Sequence, residues 1–179
     1  MGEHSGAEAL AQAVKLREQG TEAACAELAA LADRWPDDAA IAYQAAWAHD
    51  TLGLEAGAVP YYERALGTPG SPSAPGLTPD DRHGAFLGLG STYRVLGRYA
   101  EAVSTLRRGL EEFPGDAALR TFLAMALYNT GESREAVRTL LQVTAATSVD
   151  ARFQAYRRAI TYYADRLDET EDGTEGDAR

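Results

Sequence analysis

The sequence predicts an all-α fold, a solenoid of stacked helix-turn-helix pairs, and three observations predict it. Residue types recur at a fixed interval: Gly131, Glu135, Ala136, Val137 and Leu140 each fall 34 residues after Gly97, Glu101, Ala102, Val103 and Leu106. Repetition at that length marks one supersecondary unit used several times, each copy burying its apolar face against the next. Within a copy, two stretches of helical period flank a glycine: Leu87, Gly90 and Tyr93 before Gly97, then Ala102, Leu106 and Leu110 after it. Gly20, Gly53, Gly97 and Gly131 each close the first helix of a pair, where a left-handed C-cap suits a residue without Cβ.

Taken in order, the elements are helices at about 6–19, 21–34, 37–52, 55–66, 79–96, 99–112, 116–129 and 133–145, with a ninth over 149–168. The first repeat (6–38) keeps little beyond Gly20, Cys25 and Ala32 and reads as a degenerate cap. The second (39–72) carries Ala45, Ala46, His49, Ala58, Tyr62 and Ala65. Gly97 follows Gly53 by 44 residues, and the ten extra residues belong to GTPGSPSAPGLTPD (67–80). That Pro/Gly/Ser-rich insertion, its Pro72-Ser73-Ala74-Pro75 included, is expected to be a solvated loop. The third repeat (83–116) is announced by Thr78-Pro79-Asp80-Asp81, an N-cap, a proline at the first helical position and an acid three after the cap. The fourth (117–148) has Leu123, Ala124, Leu127, Ala136, Leu140 and Val143. In the ninth helix Val149, Phe153, Tyr156, Ile160, Tyr163 and Leu167 form a stripe at alternating spacings of four and three. It reads as a capping helix over the last repeat, with a dimer contact through Phe153, Tyr156, Ile160 and Tyr163 as the other reading. Residues 1–5 are expected to be flexible and 169–179, acidic and without apolar anchors, disordered; one domain spans 6–168.

Composition narrows the function. The formal net charge is −10, from 27 acidic and 17 basic residues, and the single lysine is Lys15. Such a balance repels phosphate backbones and anionic lipid, so neither nucleic acid nor membrane is an expected partner. One cysteine, Cys25, cannot form an internal disulfide, and MGEHSGAEAL has neither the basic nor the apolar region of a signal peptide, so a cytoplasmic location is expected. His4, His49 and His83 are scattered, and no HExxH, CxxC or GxSxG spacing is present. No metal, cofactor or catalytic residue is expected, and the chain reads as a non-enzyme.

The third copy, with Phe86, Leu89, Gly90, Tyr93, Ala102, Leu106, Gly109 and Pro114, resembles the tetratricopeptide repeat, whose signature is W-x2-L-G-x2-Y, then A-x3-F, then A and P. Five of the eight match outright and three are conservative, and the resemblance covers roughly residues 6–150. The layout as a whole is similar to a small bacterial group of unknown activity, the group 5 family. That resemblance implies a right-handed superhelix, an all-helical interaction module that dimerises, and no reaction.

The family's concave face is lined by the first helix of each pair. Carried over, this implies a partner-binding groove of Tyr43, Gln44 and Trp47, then Leu87, Ser91 and Arg94, then Phe122, Met125 and Tyr128. The Lys/Arg and Asn of carboxylate-clamping members are absent, replaced by apolar and aromatic residues of the kind that dominate interfaces. The expected function is therefore a scaffold binding a protein or peptide segment, or a second copy of the chain; the alternative is a small-ligand receptor or enzyme with its site inside the superhelix. The glycines of FLGLGSTYRVLG do not change this, because a P-loop needs Gly-Lys-Ser/Thr after a strand, and Gly90 here leads to Ser91 inside a helix. Gly90 is expected to be a close-packing position, in the slot held by Ala46 and Ala124 in the neighbouring copies.

Overall fold

The structure is a computed structural model that describes residues 5–67 and 76–170. Most of the expected insertion and tail, together with His4 and Pro72-Ser73-Ala74-Pro75, lies outside the described residues. Among those described there are nine α-helices and no strand: α1 (Gly6–Gln19), α2 (Glu22–Arg34), α3 (Ala39–Thr51), α4 (Glu55–Leu66), α5 (Pro79–Val95), α6 (Tyr99–Glu112), α7 (Ala117–Thr130), α8 (Ser133–Thr147) and α9 (Ala151–Ala164). No helix among them is long and apolar enough to cross a membrane.

Caps set the boundaries. Ser5 and Glu8 form a reciprocal capping box on α1, and Thr21, Asp38, Thr78, Asp116 and Asp150 accept backbone N–H groups at the starts of α2, α3, α5, α7 and α9. Asp38 explains why α3 starts two residues later than expected: its carboxylate accepts from the Ile41 N–H at 2.9 Å, which holds Asp38 outside the helix. At the other end, α9 stops at Ala164, four residues short, and Asp165 turns back to accept from Arg138 at 2.7 Å. Gly20, Gly53, Gly97 and Gly131 all have left-handed φ, between 61° and 89°, as expected of the turns that close α1, α3, α5 and α7.

Each helix packs on the next, and α1, α3, α5 and α7 also pack on one another in succession. Among the described residues α2, α4, α6 and α8 make no such contacts with each other. The odd-numbered helices therefore crowd into an inner layer while the even-numbered ones splay outward, the geometry of a curved solenoid.

Two core clusters fill the stack. One holds α1 and α2 against α3 through Ala9, Ala13, Leu28, Leu31, Ile41 and Ala45; the other runs from α3 to α8 around Phe86, Leu89, Leu106, Leu119 and Leu127. Gly90 is a packing position, as expected: a Cβ there would lie 2.5 Å from Leu106 Cγ. Cys25 is a buried free thiol, pushed above its ordinary pKa by burial. His49 is packed, its Nδ1 2.7 Å from the Ala45 carbonyl and its ring against Tyr61. His83 lies 3.2 Å from an Asp116 carboxylate oxygen and edge-on to Phe113.

The ninth helix departs from expectation. It packs on α8, but Ala164 is its one buried residue among those described. Phe153 and Ile160 are half-buried, while Tyr156 and Tyr163 stand 68% and 55% exposed. Its stripe covers the last repeat in part only, and Val137 and Leu140 of α8 stay exposed as well.

Candidate binding groove

The inner layer carries a hollow of about 340 Å³ between α3 and α5, with Phe122 of α7 at its edge. Its lining includes Tyr43, Trp47, Leu87, Ser91 and Phe122, five of the expected groove residues, brought together from three helices. Gln44, Arg94, Met125 and Tyr128 lie outside it. Among these Met125 is half-buried and Tyr128 is 69% exposed, so the apolar surface continues along α7.

Tyr43 and Gln44 correct the expectation of an exposed aromatic patch: they are only 6% and 5% exposed. The reason is local. Gly84 of α5 faces Tyr43 so closely that a Cβ there would meet the Tyr43 hydroxyl at 2.2 Å, and the ring sinks into the space that glycine leaves. Gln44 is drawn inward by Arg17, whose Nε donates to its Oε1 at 2.6 Å. The same guanidinium lies 3.9 Å from the centroid of the Trp47 ring. Helix α1 thus braces the exposed indole through a cation–π contact.

Tyr62, from α4, was not expected here. It reaches the hollow from the outer layer because Gly88 lacks a side chain: a Cβ on Gly88 would lie 2.3 Å from the Tyr62 hydroxyl. The glycine was the signal, since a helical position opposite a tyrosine of the previous pair has room for the ring only if it carries no Cβ. Gly84, Gly88 and Gly90 are therefore three seats, for Tyr43, Tyr62 and Leu106.

At the floor is Asp50. Its Oδ2 accepts from the Tyr62 hydroxyl and its Oδ1 from the Thr92 hydroxyl, both at 3.1 Å. Burial lifts the Asp50 carboxyl above the ordinary value, the two hydroxyls oppose that, and nearby Glu55 adds to it. Burial also raises the Tyr62 phenol, and raises that of Tyr43 to about 12, with Asp81 adding and Arg17 opposing. Neither phenol ionises near neutral pH, so the hollow sets the Asp50 carboxyl among neutral rings. No group of three or more metal-ligating side chains occurs among the described residues.

A family model described as Tetratrico peptide repeat, of group 5, matches residues 39–167. The chain belongs to that tetratricopeptide repeat family. The match begins at α3 and runs past α9, leaving α1 and α2 outside it. No curated protein matches the chain. Tetratricopeptide repeats generally mediate protein–protein interaction, and the inner layer of α3, α5 and α7 is the repeat surface on which the hollow lies.

The raised Asp50 carboxyl has a consequence for stability with a definite sign. The folded chain holds this proton more firmly than the unfolded chain, whose carboxyl keeps the ordinary value of 3.8. Stability therefore falls as pH rises from that value through the raised one, and the loss persists above it. Asp50→Asn keeps an acceptor oxygen for one of the two hydroxyls, donates from its amide NH2 to the oxygen of the other, and removes the loss. By circular dichroism it is expected to melt at or above the parent near neutral pH, and to lose that advantage in acid. A lower melting point near neutrality would show instead that the charge itself holds the fold.

Proposed function

We propose that this protein is a non-enzymatic interaction module that holds an extended or helical segment of a partner protein along the face of α3, α5 and α7. One observation carries the reading. Among the described residues the ninth helix packs on α8 alone, so it leaves the inner face uncovered, with Trp47 37% exposed, Leu87 and Phe122 half-buried in the hollow and Met125 half-buried beyond it. A rigid indole at the centre of such a patch, ringed by partly buried apolar side chains, is the usual anatomy of an interface hot spot. Ser91 and Arg94 are the polar groups that would fix the segment's register.

Selection of a random peptide library against the full chain tests this. Binders are expected, and Trp47→Ala should weaken the best of them about tenfold with the helical content unchanged. Failure to select any binder, or equal affinity for the Trp47 variant, would remove the groove from the reading.

A second reading is favoured by the exposed Tyr156 and Tyr163 of α9, with Phe153 and Ile160 half-buried beside them. In it this stripe meets the same stripe of a second copy. Light scattering distinguishes it: a mass twice that of one chain, reduced to one chain by Tyr156→Glu, supports the homodimer, and a constant single-chain mass rejects it.

A further inference from the structure

The hollow contains a carboxyl, Asp50, that has no cationic partner among the described residues. Among the described residues, no arginine, lysine or histidine forms an ion pair with Asp50. Its two hydrogen-bond donors, Tyr62 and Thr92, are neutral hydroxyls, one on each oxygen. A carboxylate oxygen has two acceptor sites, so one on each oxygen remains. Arg17 is engaged by Gln44, by Glu18 at 3.6 Å and by the face of Trp47. Arg94 makes no ion pair among the described residues, and its buried Nε has no partner.

Four aromatic residues share the lining of the hollow with that carboxyl: Tyr43, Trp47, Tyr62 and Phe122. Their faces carry partial negative charge and attract cations, most strongly where water is partly excluded. An apolar guest would leave Asp50 desolvated and unpaired, and an anionic guest would be repelled by it. A guanidinium or ammonium satisfies both features at once, the rings by cation–π contact and the carboxylate by charge-assisted hydrogen bonds. The net charge of −10 adds a long-range attraction for a basic partner.

We propose that the hollow takes the arginine or lysine side chain of a basic segment from a partner protein, with Asp50 as counter-ion and Trp47 and its neighbouring rings as walls. This rests on the groove reading above, and it names the chemistry that the groove selects. Burial of Asp50, which already holds its carboxyl above the ordinary range, is consistent with a site that gains from an incoming cation.

The test uses two random peptide libraries displayed on phage, one with all residues and one built without lysine and arginine, each selected against the full chain. The complete library is expected to yield binders with a basic residue in fixed register beside apolar ones, and the depleted library none. In the best peptide, replacing that residue by norleucine should weaken binding about tenfold, Asp50→Asn should do the same, and the two together should lose no more than either alone. The Asn variant keeps an acceptor for one of the two hydroxyls and offers its NH2 to the other, and an unchanged dichroism spectrum would confirm its fold. Equal yields from both libraries, or losses that simply add, would overturn the cation pairing and leave the groove reading intact. No binders from either library would overturn both.

Discussion

Phe86→Ala is expected to cost the fold about 3–5 kcal/mol, the range for deleting a fully buried aromatic side chain. Phe86 has no solvent exposure and lies within the larger core cluster. It packs against α6, where Gly109 comes so near that a Cβ there would lie 3.0 Å from Phe86 Cβ. The guanidinium groups of Arg82 and Arg108 sit 5.2 and 5.5 Å from its ring centroid. Helices on both sides are pinned by their own neighbours, so the void would collapse poorly, which places the cost well above the bare transfer energy. Equilibrium urea unfolding followed by circular dichroism measures it. A loss below about 1 kcal/mol would mean that α5 and α6 close over the gap, and that this repeat is not the keystone of the stack.

Gly88→Ala should lower stability by about 1 kcal/mol net, and here two rules oppose each other. Helix propensity alone favours alanine over glycine by about 1 kcal/mol. Against it, the new methyl would stand 2.3 Å from the Tyr62 hydroxyl and 2.4 Å from Cζ, contacts that no side chain tolerates. Tyr62 is only 2% exposed and is tied to Asp50 through its hydroxyl, so it has nowhere to retreat. Overpacking of this kind costs typically 1–3 kcal/mol and forces neighbours off their rotamers. The same displacement would take a donor from Asp50, so peptide affinity should fall together with the unfolding free energy. Stabilisation by the alanine would show that the tyrosine has a second resting place.

The fold was largely legible because its signals are local. A glycine after each first helix, an acid or hydroxyl before most helices, and a 34-residue recurrence each act through the backbone nearby, and the structure follows them closely. The site was less legible because its decisive contacts cross between pairs. Position within the repeat assigns Tyr43 to the concave face, and its Cα is there. Whether its ring stays out or sinks depends on Gly84, 41 residues away in sequence. Tyr62 belongs by position to the outer helix, yet Gly88 lets it through to Asp50. The stripe of the ninth helix is covered only in part, with Val149 and Leu167 lying outside α9, because periodicity does not say how much partner surface is waiting.

The braced indole ties the groove to the end of the solenoid. Arg17 and Gln44 connect α1 to the wall that holds Trp47, while the small core cluster that secures α1 and α2 joins the rest of the stack through α3. Stacked repeats open from their ends in cooperative units, each with its own free energy. Opening of the first pair withdraws the guanidinium from the indole and releases Gln44 from burial, without disturbing Phe86 and its neighbours. On the interaction reading proposed above, the first helix pair is then a clasp: its opening would loosen the wall around Trp47 and shorten the lifetime of a bound segment.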